Sequence, residues 1–306
     1  KELKYLNKYL YKYKWQLLLG IAFVALSNVF KVLSPRVLSR AIDMVSQNIS
    51  LFASFENFNL QEALQSSLKS SLLIFTLIYF AAALIGGVFP FLMRQSIIVM
   101  SRLIEFDLKN EIYEQYQKLS INFYKKNRTG DLMNRISEDV SKVRMYFGPA
   151  IMYSMNMIFL FIVGFTQMVK TDPVLTMYTL IPFPVLSISI FYISKVINKR
   201  STIVQEYLSK LTTYNQEFFS GVNVVKSYGI EPMVIAGFDK LADKSKEKNI
   251  SLYKIQALFF PLMILLIGIS NLTVIYIGGK QYINGEIPIG VIAEFILYVN
   301  MLTWPV

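Results

Sequence analysis

Residues 123–144 read FYKKNRTGDLMNRISEDVSKVR, a dense run of charge inside a chain in which 54% of the 306 residues are hydrophobic and 17% are charged. A mean hydropathy of +0.44 is too high for an ordinary soluble domain and places the chain among multi-span membrane proteins. So polar a tract then lies outside the lipid, between spans.

Working outward from it, the chain holds no cysteine and no histidine, which excludes disulfides, thiol chemistry and His-based metal or proton relays. The formal charge of +11 marks one side of a membrane rather than a nucleic-acid partner. The opening KELKYLNKYLYKYKWQ mixes Lys with Leu and Tyr at helical spacing, so residues 1–14 are expected to form an interfacial helix. No signal-peptide cleavage pattern follows, and a chain opening on Lys reads as processed or trimmed.

A hydrocarbon core of about 30 Å needs about 20 apolar residues. Runs of that kind begin at WQLLLGIAFVALSNVFKVLS and SLLIFTLIYFAAALIGGVFPFLM, flank KTDPV on both sides, and recur at ALFFPLMILLIGISNLTVIYIGG and IPIGVIAEFILYVNMLTWPV. The reading is six spans, the sixth truncated at Val306. Basic residues are sparse after spans one, three and five (Lys69, Lys170, Lys280) and dense after spans two and four (Lys125, Lys126 and Arg128; Lys240, Lys244 and Lys246). This asymmetry puts the amino terminus and both long connections in the cytoplasm.

Those connections stay helical. Ile104, Leu108, Ile112, Tyr116 and Leu119 form one stripe, with Glu105–Lys109 and Glu114–Lys118 at i,i+4. A second helix from Ser71 to Leu119 would reach roughly 70 Å, over twice the hydrocarbon thickness. The fourth keeps its spacing past Arg200, and the fifth is entered through FFSGVNVVKSYGIEPMVIAGF, where Pro232 is expected to bend it. Asp172 and Pro173 make an N-cap and first helical position. At the first tip, Gly130 is expected to permit a sharp reversal and Thr129 or Asp131 to cap a short helix.

At these residues the chain resembles the transmembrane half of a bacterial ABC exporter, the six-helix type I class that includes lipid A flippases and multidrug exporters. The resemblance rests on FYKKNRTGDLMNRISEDV, FFSGVNVVKSYGIE, LSPRVLSRAIDMV and INGEIPIGVIAEFILYVNMLTWPV, in the family's order and spacing. It covers essentially the whole chain as one all-α transmembrane domain, 1–306, of long membrane helices with cytoplasmic extensions. It implies a first coupling helix at Arg128, Thr129, Gly130, Asp131, Leu132, Met133, Asn134 and Arg135, touching nucleotide-binding domains. A second is implied at Leu211, Thr212, Thr213, Tyr214, Asn215, Gln216 and Glu217, reaching the partner subunit's ATPase domain. Further implications are a homo- or heterodimer in the bacterial cytoplasmic membrane and alternating access driven by ATP.

A P-loop, G-x-x-x-x-G-K-[ST], is missing; the nearest stretch, GGKQ from Gly278, lacks the pattern. No cofactor is therefore expected in this chain, and ATP and Mg belong with an absent or separately encoded ATPase domain.

Other positions carry two readings each. Lys31, Arg36, Arg40 and Asp43 suit an outer-interface network or a cavity lining. Arg94 suits an interfacial anchor or a lipid-phosphate contact, and Glu294, near the outer rim, a hydrated carboxylate or a proton site. Asn156, Asn271 and Asn300 suit interhelical bonding or a cavity, so Arg94, Asn156 and Asn300 are the candidate substrate-cavity residues. The competing functions are an ion- or proton-coupled secondary transporter, with helix breaks at Pro182, Pro184 and Pro261, and a membrane scaffold that recruits a cytoplasmic partner.

Overall fold

The computed structural model describes residues 3–54 and 61–303, with side chains over 5–49 and 66–303. The regular structure there is helical: α1 (Leu3–Lys12), α2 (Lys14–Ser54), α3 (Gln61–Lys118), α4 (Ile121–Lys126), α5 (Thr129–Asn134), α6 (Val140–Met145), α7 (Ile151–Thr171), α8 (Pro173–Leu180), α9 (Pro182–Ser220), α10 (Val222–Tyr228), α11 (Glu231–Ile283) and α12 (Ile289–Thr303). Two π-helical turns, Arg135–Asp139 and Tyr146–Ala150, link α5 to α6 and α6 to α7, so Thr129–Thr171 runs as one long helix. Among the described residues, 5 helices are long and apolar enough to cross a membrane, and Ile289–Thr303 is a shorter apolar one. The expected end of the sixth helix at Val306 lies outside the described residues.

The chain divides into two compact units. The first comprises 1–176 with 274–305, the second 177–273. In the first, α2 packs along α3, with Phe30 stacked on Phe89 at 5.4 Å and Phe23 tilted against the same ring at 6.3 Å. Its core joins Val24 of α2, Met93, Ile97, Met100, Ile104 and Leu108 of α3, and Val140, Phe147 and Met152 further along. The Ile104–Leu108 stripe legible in the sequence thus faces inward. Neighbouring chains of apolar lipid offer spans no hydrophobic reason to associate, so polar pairs matter disproportionately. Asn28, fully buried on α2, gives one amide hydrogen to Val24 O at 2.9 Å and the other to Asn156 Oδ1 on α7 at 3.0 Å.

The amino-terminal helix is docked on α3. Lys8 Nζ of α1 bonds Glu111 of α3 at 2.6 Å, Tyr5 and Tyr9 donate to the same carboxylate, and Lys12 and Tyr13 bond Asp107 at 2.6 and 2.9 Å. Desolvation opposes charge on Lys8, but its bonds to Glu111 and Tyr5 outweigh that and raise its pKa above the ordinary lysine range. Burial, then Glu111, similarly raises the Tyr9 phenol. One turn nearer the apolar part of α3, Glu105 meets Arg102, Lys109 and Arg144 at 3.0, 2.9 and 3.3 Å.

Prolines divide into those that start helices and those that sit inside them. Asp172 caps α8 as expected, its Oδ1 accepting the Leu175 amide at 2.6 Å. Pro232 is the second residue of α11 and begins the helix rather than bending it, since the first turn needs no donor there. Pro261 lies within an uninterrupted α11, whereas Pro182 opens α9 after a turn at Ile181. The break considered at Pro261 is therefore absent.

Candidate functional site

The first tip turns on short-range bonds, not on a permissive glycine. α3 ends at Lys118, α4 follows from Ser120, and Asn127 closes it by accepting no cap but returning both its amide and its side-chain nitrogen to Phe123 O, at 3.0 and 2.9 Å. Tyr116 donates to Leu132 O at 3.1 Å and Tyr124 donates to Tyr116 O, so the end of α3 holds both α4 and α5. Gly130 sits inside α5 without a positive φ, and no side chain caps α5; both expectations are corrected here. The free-standing short helix is Ile121–Lys126, upstream of the expected Arg128–Arg135. The latter segment instead forms the first turns of the long third helix.

Exposure is nevertheless what a contact surface requires. Arg128, Thr129, Gly130, Asp131, Met133, Asn134 and Arg135 face outward, and only Leu132 is buried beneath them. Ile121 and Met133 are 73% and 60% exposed, apolar groups that water alone does not favour. Asp131 lies in the first turn of α5, where a negative charge complements the helix dipole.

The tip of the second unit is built differently. The resemblance implies a separate short helix at Leu211–Glu217; that segment instead runs inside α9, which ends at Ser220. The short helix there is α10, bracketed by Gly221 and Gly229. Gly229 adopts the left-handed conformation (φ 62°), and its amide and that of Ile230 both close on Val225 O, a glycine stop signal. Tyr214 spans the hairpin by donating to Val234 O at 2.9 Å and packing near Phe238. Beneath it, Tyr214, Asn215, Phe218, Val234, Ile235 and Phe238 line a cleft of about 200 Å³ with Glu231 at its edge. Phe219, Val224, Tyr228 and Met233 lie exposed around it, and Lys226 pairs with Glu231 at 3.0 Å. The glycine pair eight residues apart was the available signal for α10, and it was missed.

The candidate cavity residues are not bonded to one another. Arg94 and Asn300 are exposed, Asn156 is committed to Asn28, and no hydrogen bond or ion pair joins the three. The informative polar group is Glu294. It is 2% exposed rather than hydrated, because α12 carries it into contact with Tyr298 and Thr171, whose hydroxyls lie 2.8 and 3.4 Å from its Oε1. Asp43 is also structural, its Oδ1 accepting the Gly290 amide at 2.6 Å in the first turn of α12. A Cβ on residue 290 would collide with Ser39 O and Asp43, so this approach needs glycine. Nearby, Gln281 donates to Asp172 at 3.2 Å.

Comparison with known proteins bears on this arrangement. The family model described as ABC transporter transmembrane region matches residues 17–306. The chain is 30% identical over 238 residues to the "Multidrug resistance-like ATP-binding protein MdlA" of Buchnera aphidicola subsp. Baizongia pistaciae, covering 78% of this chain and 41% of that protein. It is 23% identical to the Escherichia coli protein of the same name, over 96% of this chain and 48% of that one. To the "ATP-dependent lipid A-core flippase" of Syntrophus aciditrophicus it is 32% identical, over 65% of this chain and 33% of that one. The chain thus spans about half or less of the length of these relatives.

Proposed function

The chain belongs to the ABC transporter transmembrane region family, and from that premise we propose that it is the membrane-spanning half of an ATP-driven exporter. Its cargo is an amphipathic lipid or drug-like molecule, moved outward by alternating access. The observation that carries the reading is the pair of tips. Helices far longer than a bilayer requires end in short helices, α4 and α10, beside exposed apolar residues such as Ile121, Met133, Phe219 and Tyr228. Holding such groups in water is unfavourable, and a partner domain that covers them offsets that cost.

In this reading the tips receive nucleotide-binding domains, which hold ATP and Mg, and a second transmembrane subunit completes the pathway. The amino terminus and the basic tips are cytoplasmic, by the distribution of Lys and Arg, in a bacterial inner membrane. The names of the MdlA-like and lipid A-core flippase relatives support the cargo class.

The test is ATP-dependent movement of a fluorescent phospholipid and of a hydrophobic dye by the full-length protein in proteoliposomes. Asp131→Lys and Phe219→Asp are expected to lower transport per ATP hydrolysed at least three-fold while membrane insertion is kept. No ATP-dependent movement of either probe would refute the exporter reading, and unchanged coupling in both variants would refute the role of the tips.

A further inference from the structure

Interhelical polar bonds in this protein fall into two kinds. When the Asn28–Asn156 bond breaks, a buried amide hydrogen and a half-buried carbonyl oxygen lose their partners, which makes separation of α2 from α7 costly. The contact between α12 and α2 is of the other kind. The Tyr298 hydroxyl, 1% exposed, lies 3.0 Å from Val32 O on α2 and 2.8 Å from Glu294 Oε1 on its own helix. A phenol has one proton for these two acceptors. If α2 moves away, Val32 O keeps the hydrogen bond of its own helix and Tyr298 keeps Glu294, so neither group is orphaned.

We propose that Tyr298 is a releasable latch between α12 and α2, and that Glu294 positions it by acting as the standby acceptor. The inference rests on the exporter reading, in which the bundle must part at the end away from the tips to release cargo. It gives the buried Glu294 a purpose that neither hydration nor packing supplies. A carboxyl group within an apolar helix is costly to keep, even with hydroxyl partners. Here it makes the latch cheap to open. The second tie between the same helices, Asp43 to the Gly290 amide, is releasable for a related reason, because amides in a first helical turn have no intrahelical partner and can donate to water instead.

The test uses spin labels on α2 and α12 of the full-length protein in lipid nanodiscs, at the partly exposed positions Leu38 and Ile289. Residues 1–306 hold no cysteine, so within them only introduced ones take the label. Without nucleotide, Tyr298→Phe removes the tie to Val32 O and is expected to raise the separated population by about two- to three-fold, less than the worth of a whole hydrogen bond because the parent hydroxyl recovers its partner at Glu294 on opening. Glu294→Leu removes the standby acceptor and is expected to lower it. Glu294→Gln retains an acceptor and should resemble the parent. A merely destabilised bundle would move in one direction for all three. Equal distance distributions in Tyr298→Phe, Glu294→Leu and the parent, or shifts of the same sign in the two variants, would overturn the latch. Because the readout needs no ATP, failure of ATP-driven transport would count against the exporter reading and leave this measurement interpretable.

Discussion

Asn28 and Asn156, 128 residues apart in sequence, share a hydrogen bond of 3.0 Å that joins α2 to α7. Both hydrogens of the Asn28 amide are engaged, one within its own helix and one across the interface. Asn28→Leu removes the cross-helix donor and leaves the half-buried Asn156 Oδ1 without it. The expected loss is about 1 kcal/mol of stability, the scale of interhelical bonds in lipid. Thermal unfolding in detergent would measure it, and Asn28→Leu combined with Asn156→Leu should recover part of the loss.

Gly229 supplies the left-handed stop between α10 and α11. Gly229→Ala is expected to destabilise this tip by about 1 kcal/mol, since a side chain at φ 62° meets the neighbouring carbonyl. Limited proteolysis around residues 221–231 should accelerate while cleavage at the first tip stays unchanged.

The amino-terminal helix is held by two carboxylates of α3. Glu111→Gln removes the charge that binds Lys8 and weakens acceptance from Tyr5 and Tyr9, so α1 is expected to loosen and Trp15, which is 71% exposed, to report a changed environment by fluorescence. The raised pKa of Lys8 means that its contribution is complete below the ordinary lysine pKa and is lost only as pH climbs through the higher folded value. Docking should therefore be constant from pH 7 to 9, as far as Lys8 governs it, and a loss of the Trp15 signal in that window would contradict the assignment.

Thr129 occupies the first position of α5, and Arg128 before it is extended (ψ 135°). Proline suits that pair of conformations, so Thr129→Pro should leave unfolding temperature unchanged or slightly raised. Leu132→Pro, in contrast, removes an amide that bonds Arg128 O and a buried side chain, and should cost about 3 kcal/mol.

Much of this was legible in the sequence, and the reasons for the rest are physical. Apolar run length identified the spans, and the Ile104–Leu108 stripe and the Asp172 cap reappear as read, because each depends on residues within a few positions of one another. The short helices were displaced because helical bonding continues through Thr-Gly-Asp and Leu-Thr-Thr although Thr, Gly and Asp are poor helix formers, the surrounding helix overriding local propensity. The breaks fell instead at Leu119–Ser120 and at Gly221, where Tyr116 O and Glu217 O accept the last amides. Glu294 was misjudged for a different reason. Its depth depends on Tyr298 and Thr171, and only Tyr298 lies within reach of a local pattern.

Pro35, Pro90 and Pro261 each lie inside an unbroken helix. Each withholds the amide that would have met the carbonyl four residues earlier, at Lys31, Gly86 and Ala257. A helix of 53 residues such as α11 then flexes most easily near one point. Mechanically it is a pair of stiff rods with a soft joint in the apolar stretch, able to bend about a fixed place while the tip half stays straight.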